Sequence, residues 1–193
     1  YNSTMGALFD HHPVRESVAG TVESIAEITP QTLLDCHRAF YVPSNMVLAV
    51  CGDVEPELVA ETAGRLMPSQ YVAGAVPDYG EREGLEPVKT RAEARMDVSE
   101  PMFIAAAKLC TELPKSEEAS RLINVGSLAV RCMLGRSSEF YNDLYAEGLL
   151  RGDFFRDVSP LAGTLLFECG GASADTERVF ARLVDTLRDA AEH

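Results

Sequence analysis

The chain has 193 residues, 46% of them hydrophobic, and sets 17 Lys and Arg against 30 Asp and Glu for a formal charge of -13. That length and apolar content support one large core or two modest ones, and the acidic balance repels phosphate backbones and anionic lipid, which argues against nucleic acid as a partner. No apolar run approaches the roughly 20 residues that span a bilayer, and the start Tyr1-Asn2-Ser3-Thr4 lacks a charged and then apolar leader, so no membrane role is expected.

Taken in order, Tyr1 to Ile28 keeps no sustained period and reads as irregular chain with at most a helical turn, broken by His11-His12-Pro13 and Gly20-Thr21. Thr29-Pro30 then has the form of a helix cap with proline at the first helical position, followed by Leu33, Leu34, His37, Phe40 and Tyr41 at helical spacing up to Pro43. Asn45 to Cys51 is a continuous apolar run of strand length, closed by Gly52-Asp53, and predicts a strand buried on both faces. A second helix is expected from about Pro56 to Met67, with Leu58, Val59, Thr62 and Leu66 on one side. From Pro68 to Pro87 the composition turns to Pro, Gly, Tyr and Glu, the pattern of a linker.

Beyond the linker, Val88 to Val98 alternates, Glu100-Pro101 turns the chain and Met102 to Leu109 is apolar, which predicts a β-hairpin. Ser116 to Leu134 reads as a capped helix, apolar around most of its circumference and so largely buried. A second, shorter helix follows the Gly135 break, with Ser137 and Ser138 as cap candidates and Phe140, Tyr141, Leu144 and Tyr145 spaced for one buried face before the stop at Gly148. Asp153 to Ser159 and Thr164 to Cys169 predict a second hairpin, ended by Gly170-Gly171, and a last helix begins at Asp175 with Val179, Phe180, Leu183, Val184 and Leu187 on one stripe. The order ββααββα after Pro87 implies an α+β fold, a mostly antiparallel or mixed sheet with helices packed on one face.

Three stretches carry a resemblance. The first is His12-Pro13-Val14, then Val18-Ala19-Gly20-Thr21, Glu23-Ser24-Ile25 and Ile28-Thr29; the second is Phe40-Tyr41, Pro43-Ser44-Asn45-Met46, Leu48, Val50 and Gly52-Asp53. The third is Leu134-Gly135, Ser137-Ser138, Phe140-Tyr141, Leu144-Tyr145 and Glu147-Gly148-Leu149. Together they resemble the insulinase/pitrilysin-like zinc metallopeptidase family, in its bacterial processing-peptidase-like branch, over nearly the whole chain. The resemblance implies a LuxS/MPP-like half-domain architecture and a parent that is a zinc metalloendopeptidase, a hydrolase enclosing peptides between two similar halves. It implies residues 1–67 as the end of one peptidase-like domain, 68–87 as linker and 88–193 as the first part of a second, non-catalytic domain. It also places the inverted zinc motif His-x-x-Glu-His and a distant glutamate ligand upstream of Tyr1.

The four histidines supply no replacement for that motif. His11 and His12 are adjacent, so a regular strand would point them to opposite faces, and no ligand spacing surrounds them. His37 sits on a helix between Asp35 and Arg38, and His193 ends the sequence. The expectation is therefore no catalytic residue, metal ligand or cofactor in this chain, with zinc expected for the parent. Many family members contact substrate through an Arg and a Tyr in the third stretch; at the matching positions this chain has Tyr145 and Arg151, a swapped pair and the two candidate substrate-binding residues. Packing for Tyr145 and surface pairing for Arg151 is the plainer reading of both. Gly170-Gly171-Ala172-Ser173 ahead of a helix could hold an anion, although the Lys-Ser/Thr of a phosphate loop is absent.

The function expected is thus a fragment of a zinc endopeptidase of this type, contributing chamber wall and peptide contacts. The alternative is a structural or partner subunit of a peptidase-like complex without zinc. Expected partners are a peptide or protein substrate and the other half of the peptidase or a homologous subunit. Five scattered cysteines, an odd number inside mostly apolar segments, suit buried, reduced thiols and a cytoplasmic location.

Overall fold

Three antiparallel strands in the order β1-β3-β2 form the sheet: β1 (Met102–Lys108), β2 (Arg151–Leu161) and β3 (Thr164–Ala172). The computed structural model describes residues 1–67, 73–76, 78, 80–114 and 117–192, so the Ser116 cap, His193 and parts of the Pro68–Pro87 stretch lie outside the described residues. β2 and β3 are the hairpin expected from sequence, closed by the two-residue turn Ala162-Gly163 at φ 52° and 77°. Both turn residues lie in the left-handed region, the mirror-image turn whose twist matches that of paired strands.

Alternation along β3 divides the sheet into two faces. Leu165, Phe167 and Cys169 join the main core with Ala105 of β1 and Phe154 and Val158 of β2. Over this face lie α5 (Glu117–Leu134), α6 (Glu139–Ala146) and α7 (Thr176–Glu192), which bury Val130, Leu134, Phe140, Leu144, Val179 and Leu183. Gly126 lets α5 approach β2, since a Cβ there would stand 2.9 Å from Val158 Cγ1. The opposite face is partly covered by α1 (Asn2–Leu8), where Met5, Leu8 and Phe9 pack on Leu166. By residue contacts the chain divides into two compact units, Tyr1–Val18 with Gly80–His193, and Ala19–Tyr79.

The second unit contains α2 (Val22–Ala26), α3 (Pro30–Phe40) and α4 (Pro56–Leu66). The cap of α3 is the one expected: Thr29 accepts from the Thr32 N–H in a reciprocal capping box, with Pro30 at the first position. None of these helices has a buried residue, and Val42 alone is buried among the unit's described residues.

Six expectations need correction. Residues 1–28 are not irregular, because α1, a 3-10 turn at Pro13–Arg15 and α2 occupy much of them. Asn45 to Cys51 is no buried strand: Asn45 ends a 3-10 turn and Met46, Val47, Leu48 and Val50 are exposed, since an extended segment becomes a strand only when another backbone takes its hydrogen bonds. Val88 to Val98 has no ladder, and β1 pairs with β3 instead. The helix ending at Leu134 is not largely buried, for Leu122, Val125 and Leu128 face outward. Phe180 likewise leaves the buried stripe of α7. Gly170 and Gly171 do not end β3 but lie inside it, where a side chain at Gly170 would collide with the Phe103 carbonyl and the Phe155 ring.

Candidate functional site

The junction from α5 to β2 positions both candidate contact residues. Ser138 caps α6 by accepting from the Tyr141 N–H at 3.2 Å while donating to the Gly135 carbonyl at 2.7 Å. Phe140 and Leu144, one turn apart, then enter the core at 5% and 0% exposure. Gly148 takes φ 69° past the helix end, and the Leu149 N–H reaches back to the Leu144 carbonyl at 2.8 Å, a left-handed glycine stop. Tyr145 faces away from that anchor. It is 63% exposed, with its ring stacked on Tyr141 at 6.1 Å, so it does not share the buried face expected of it.

Arg151 opens β2 opposite Ala172, after which the register slips and Phe154 is the next residue paired, opposite Gly171. Gly152, at φ 69°, and Asp153 form the resulting bulge, an irregularity that re-aims the residues beside it. A cleft of about 450 Å³ lies here, lined among others by Arg151, Asp153, Glu100, Ser99 and Met102. The Asp153 carboxylate accepts from Arg136 Nη2 at 3.0 Å. The cleft therefore offers carboxylates and a guanidinium for polar contacts to an extended chain. Tyr145 is not among its lining residues.

A second polar constellation escaped the sequence reading. The Glu83 carboxylate accepts the backbone N–H groups of Asp10, His11 and His12 at 2.8, 2.9 and 2.7 Å. Lys108 Nζ lies 3.7 Å from it, donates to the Leu8 carbonyl at 2.8 Å and sits 5.0 Å from the Phe9 ring centroid. Desolvation pushes the Glu83 carboxyl up, but the three N–H donors and the ammonium outweigh it and bring it down to about 2. The one signal in the sequence is Lys108 itself, a lone cation closing the apolar run Met102 to Ala107. Its role here is to tie β1 to the chain at 8–12 and 83.

The three described histidines have structural partners. His12 Nδ1 accepts from the Val14 N–H at 3.1 Å, His11 Nε2 lies 2.7 Å from the Glu81 carbonyl, and His37 stacks on Tyr41 at 4.9 Å. Among the described residues no group of three His, Cys, Asp or Glu side chains could hold a metal ion. All five cysteines are free, but they are not the buried thiols expected: Cys36, Cys51 and Cys132 are exposed, and Cys169 alone is fully buried, where desolvation pushes its thiol up to about 12. Gly170 and Gly171 are committed to ladder pairing with both neighbouring strands, so the anion cradle considered from sequence does not form. No helix among the described residues is long and apolar enough to cross a membrane.

Comparison with known proteins places this geometry. Residues 27–193 match the family described as the peptidase M16 inactive domain. The chain is 28% identical over its whole length to the uncharacterized zinc protease YmfH of Bacillus subtilis, covering 45% of it, and 44% identical over 57 residues to the zinc protease ML0855 of Mycobacterium leprae, 29% of this chain and 13% of that protein. A crystal structure of an M16-like peptidase from Alicyclobacillus acidocaldarius superposes on all of the chain and 46% of its own, with a TM-score of 0.86 and 24% identity. The chain thus spans about half the length of YmfH and of the Alicyclobacillus acidocaldarius chain. Zinc is implied by the names of the relatives, yet the described residues hold no side-chain group that fits such an ion. With an α+β sheet-and-helix fold and a family match over residues 27–193, the chain belongs to the peptidase M16 inactive-domain family.

Proposed function

We propose that the chain is the non-catalytic part of a longer zinc-dependent peptidase, walling a chamber and contacting peptide while catalysis resides elsewhere in the parent. The observation that carries this reading is the match of residues 27–193 to the inactive-domain family. In it, residues 1–67 close a preceding domain, 68–87 link, and 88–193 begin the non-catalytic domain. The exposed apolar faces support it: Leu122, Val125 and Leu128 on α5, and Leu58 and Leu66 on α4, call for covering surface, which the other half or a homologous subunit supplies. Arg151, beside its cleft, makes the main peptide contact through its guanidinium, and Tyr145 offers a hydroxyl and an exposed ring. The working compartment is the cytoplasm.

The test uses the full-length parent. It should hydrolyse peptides in a chelator-sensitive manner, while the 193-residue chain alone should neither hydrolyse them nor retain zinc after dialysis. Arg151→Ala and Tyr145→Phe should leave the melting temperature of the parent nearly unchanged and weaken peptide turnover, more for Arg151. One tightly held zinc per isolated chain would overturn the non-catalytic assignment. Unchanged turnover in both variants would remove the contact roles and leave the family assignment standing.

A further inference from the structure

The helix α5 has two apolar faces, and the sheet uses one of them. Val130 and Leu134 are buried in the main core, with Ile123 and Met133 packed at its border. On the far side Leu122, Val125, Ala129 and Cys132 are exposed, with Val125 at 57% and the neighbouring Leu128 at 64%. Among the described residues neither apolar cluster includes any of these five.

The spacing on this far side is regular. Glu118, Leu122, Val125, Ala129, Cys132 and Arg136 succeed one another at steps of four, three, four, three and four residues, the repeat that makes a coiled-coil seam. At 100° per residue the four apolar members fall within a stripe roughly 80° wide. A helix with only water on its outer side carries polar residues there. The seam instead has Glu118 near the start of α5, Arg136 just past its end, and nothing charged between them.

We propose that α5 is a pairing helix, lying antiparallel against α5 of a second copy of this chain about a two-fold axis near Ser127. The order of charge selects this arrangement. Antiparallel, Glu118 of each copy meets Arg136 of the other, Leu122 meets Cys132, and Val125 meets Ala129 beside the axis, which is the self-complementary patch that a two-fold dimer requires. Parallel, Glu118 would meet Glu118 and Arg136 would meet Arg136, and like charges would oppose the contact. The helix dipoles favour the same choice, since each N-terminus then lies beside the C-terminus of the other helix. Val125 and Ala129 at the centre are small enough for the two axes to come close. Arg136 can serve both partners, because its bond to the Asp153 carboxylate at 3.0 Å uses one of the five donors of a guanidinium. The second copy is thereby the homologous subunit that covers α5 in the peptidase reading, and in that respect the pairing rests on that reading.

Sedimentation and thiol cross-linking of the full-length parent, with copper-phenanthroline as oxidant, test the pairing. The parent should sediment at twice its chain mass, and Val125→Glu should bring it to the monomer mass while circular dichroism shows it folded. Leu122→Cys should form a disulfide between two copies that the parent lacks, and should lose it when Cys132→Ala is added. Residues 122 and 132 of one helix stand about 15 Å apart, too far for a bond within one copy. A monomeric parent, a Leu122→Cys disulfide that survives Cys132→Ala, or a disulfide through Cys132 in the unsubstituted parent would overturn the proposal. Peptide turnover is read separately: a monomer that hydrolyses peptide sinks the pairing and leaves the peptidase reading standing, and a cross-linked dimer without chelator-sensitive turnover does the reverse.

Discussion

The unit holding the sheet and the unit Ala19–Tyr79 are built from helices of similar amphipathic character and come to opposite ends. In the first, α6 places Phe140 and Leu144 against Phe154 and the rest of the main core. In the second, α3 places Leu33, Leu34 and Phe40 in solvent, although its capping box is as well formed as the Ser138 cap of α6. Caps and periodicity decide that a helix forms and which side is apolar; they do not supply what that side packs on. The sheet supplies it in one unit. In the other, the extended run Met46 to Val50 has no strand beside it among the described residues, so it builds no floor there.

The largest expected effect lies where packing is complete. Leu144→Ala should lower the free energy of unfolding by about 2 to 5 kcal/mol, read from urea denaturation, because a fully buried leucine leaves a cavity among residues that cannot all relax. A loss under about 1 kcal/mol would mean that the core of the sheet unit is as loose as the second unit.

Next comes the buried polar tie. Lys108→Met should cost about 2 to 3 kcal/mol, since it keeps much of the volume but leaves the Leu8 carbonyl and the Glu83 carboxylate without the ammonium. The same tie gives a pH signature. The folded Glu83 carboxyl lies at about 2, below its ordinary value of 4.5. Its contribution is therefore full above the ordinary value and is lost as pH falls toward 2. After screening this amounts to about 1 to 2 kcal/mol. Glu83→Gln should flatten the fall in stability between those limits, measured as urea midpoints against pH, relative to the parent protein. An equal slope in both would show that Glu83 is not held by the three N–H groups.

Gly170→Ala probes the face of the sheet that lies away from the main core and should cost about 1 to 3 kcal/mol, the scale of a small overpacking. The added methyl meets the Phe103 carbonyl, which the β1–β3 ladder holds in place, and the Phe155 ring, which can turn aside. A thermal scan with no downward shift would mean that β1 yields easily. The smallest effect belongs to the second unit. Leu33→Ala, at a position 61% exposed, should change stability by no more than about 0.5 kcal/mol in this chain. In the full-length parent the same change should cost more if the remaining sequence covers that face, and matching values in both would count against such cover.

The local elements were legible because their determinants are local. Thr29-Pro30, Ser138, Gly148 and Asp175 mark helix ends through single hydrogen bonds or a single dihedral, and Ala162-Gly163 sets the β2–β3 hairpin. Leu144 as anchor followed from its one-turn spacing to Phe140. Arg151 and Tyr145 could be named from position in a motif. Their separation could not, because it depends on the Gly152-Asp153 bulge and on the outward turn of Tyr145.

What the sequence by itself determined is which segments after Ile28 are helical, where they stop, and the alternation that makes β2, β3 and residues 88–98 able to be strands, all properties of a few neighbouring residues. The tertiary structure decided which of those able segments has a partner. Met46 to Val50 and Met102 to Lys108 are both apolar runs of strand length, yet only the second became a strand, because only it lies beside β3. The joining of Glu83 to Lys108 and to residues 10–12 was decided at the same level. Pairing and burial are relations between distant parts of the chain, and a strand's backbone groups are satisfied only by the neighbour that the fold brings to them.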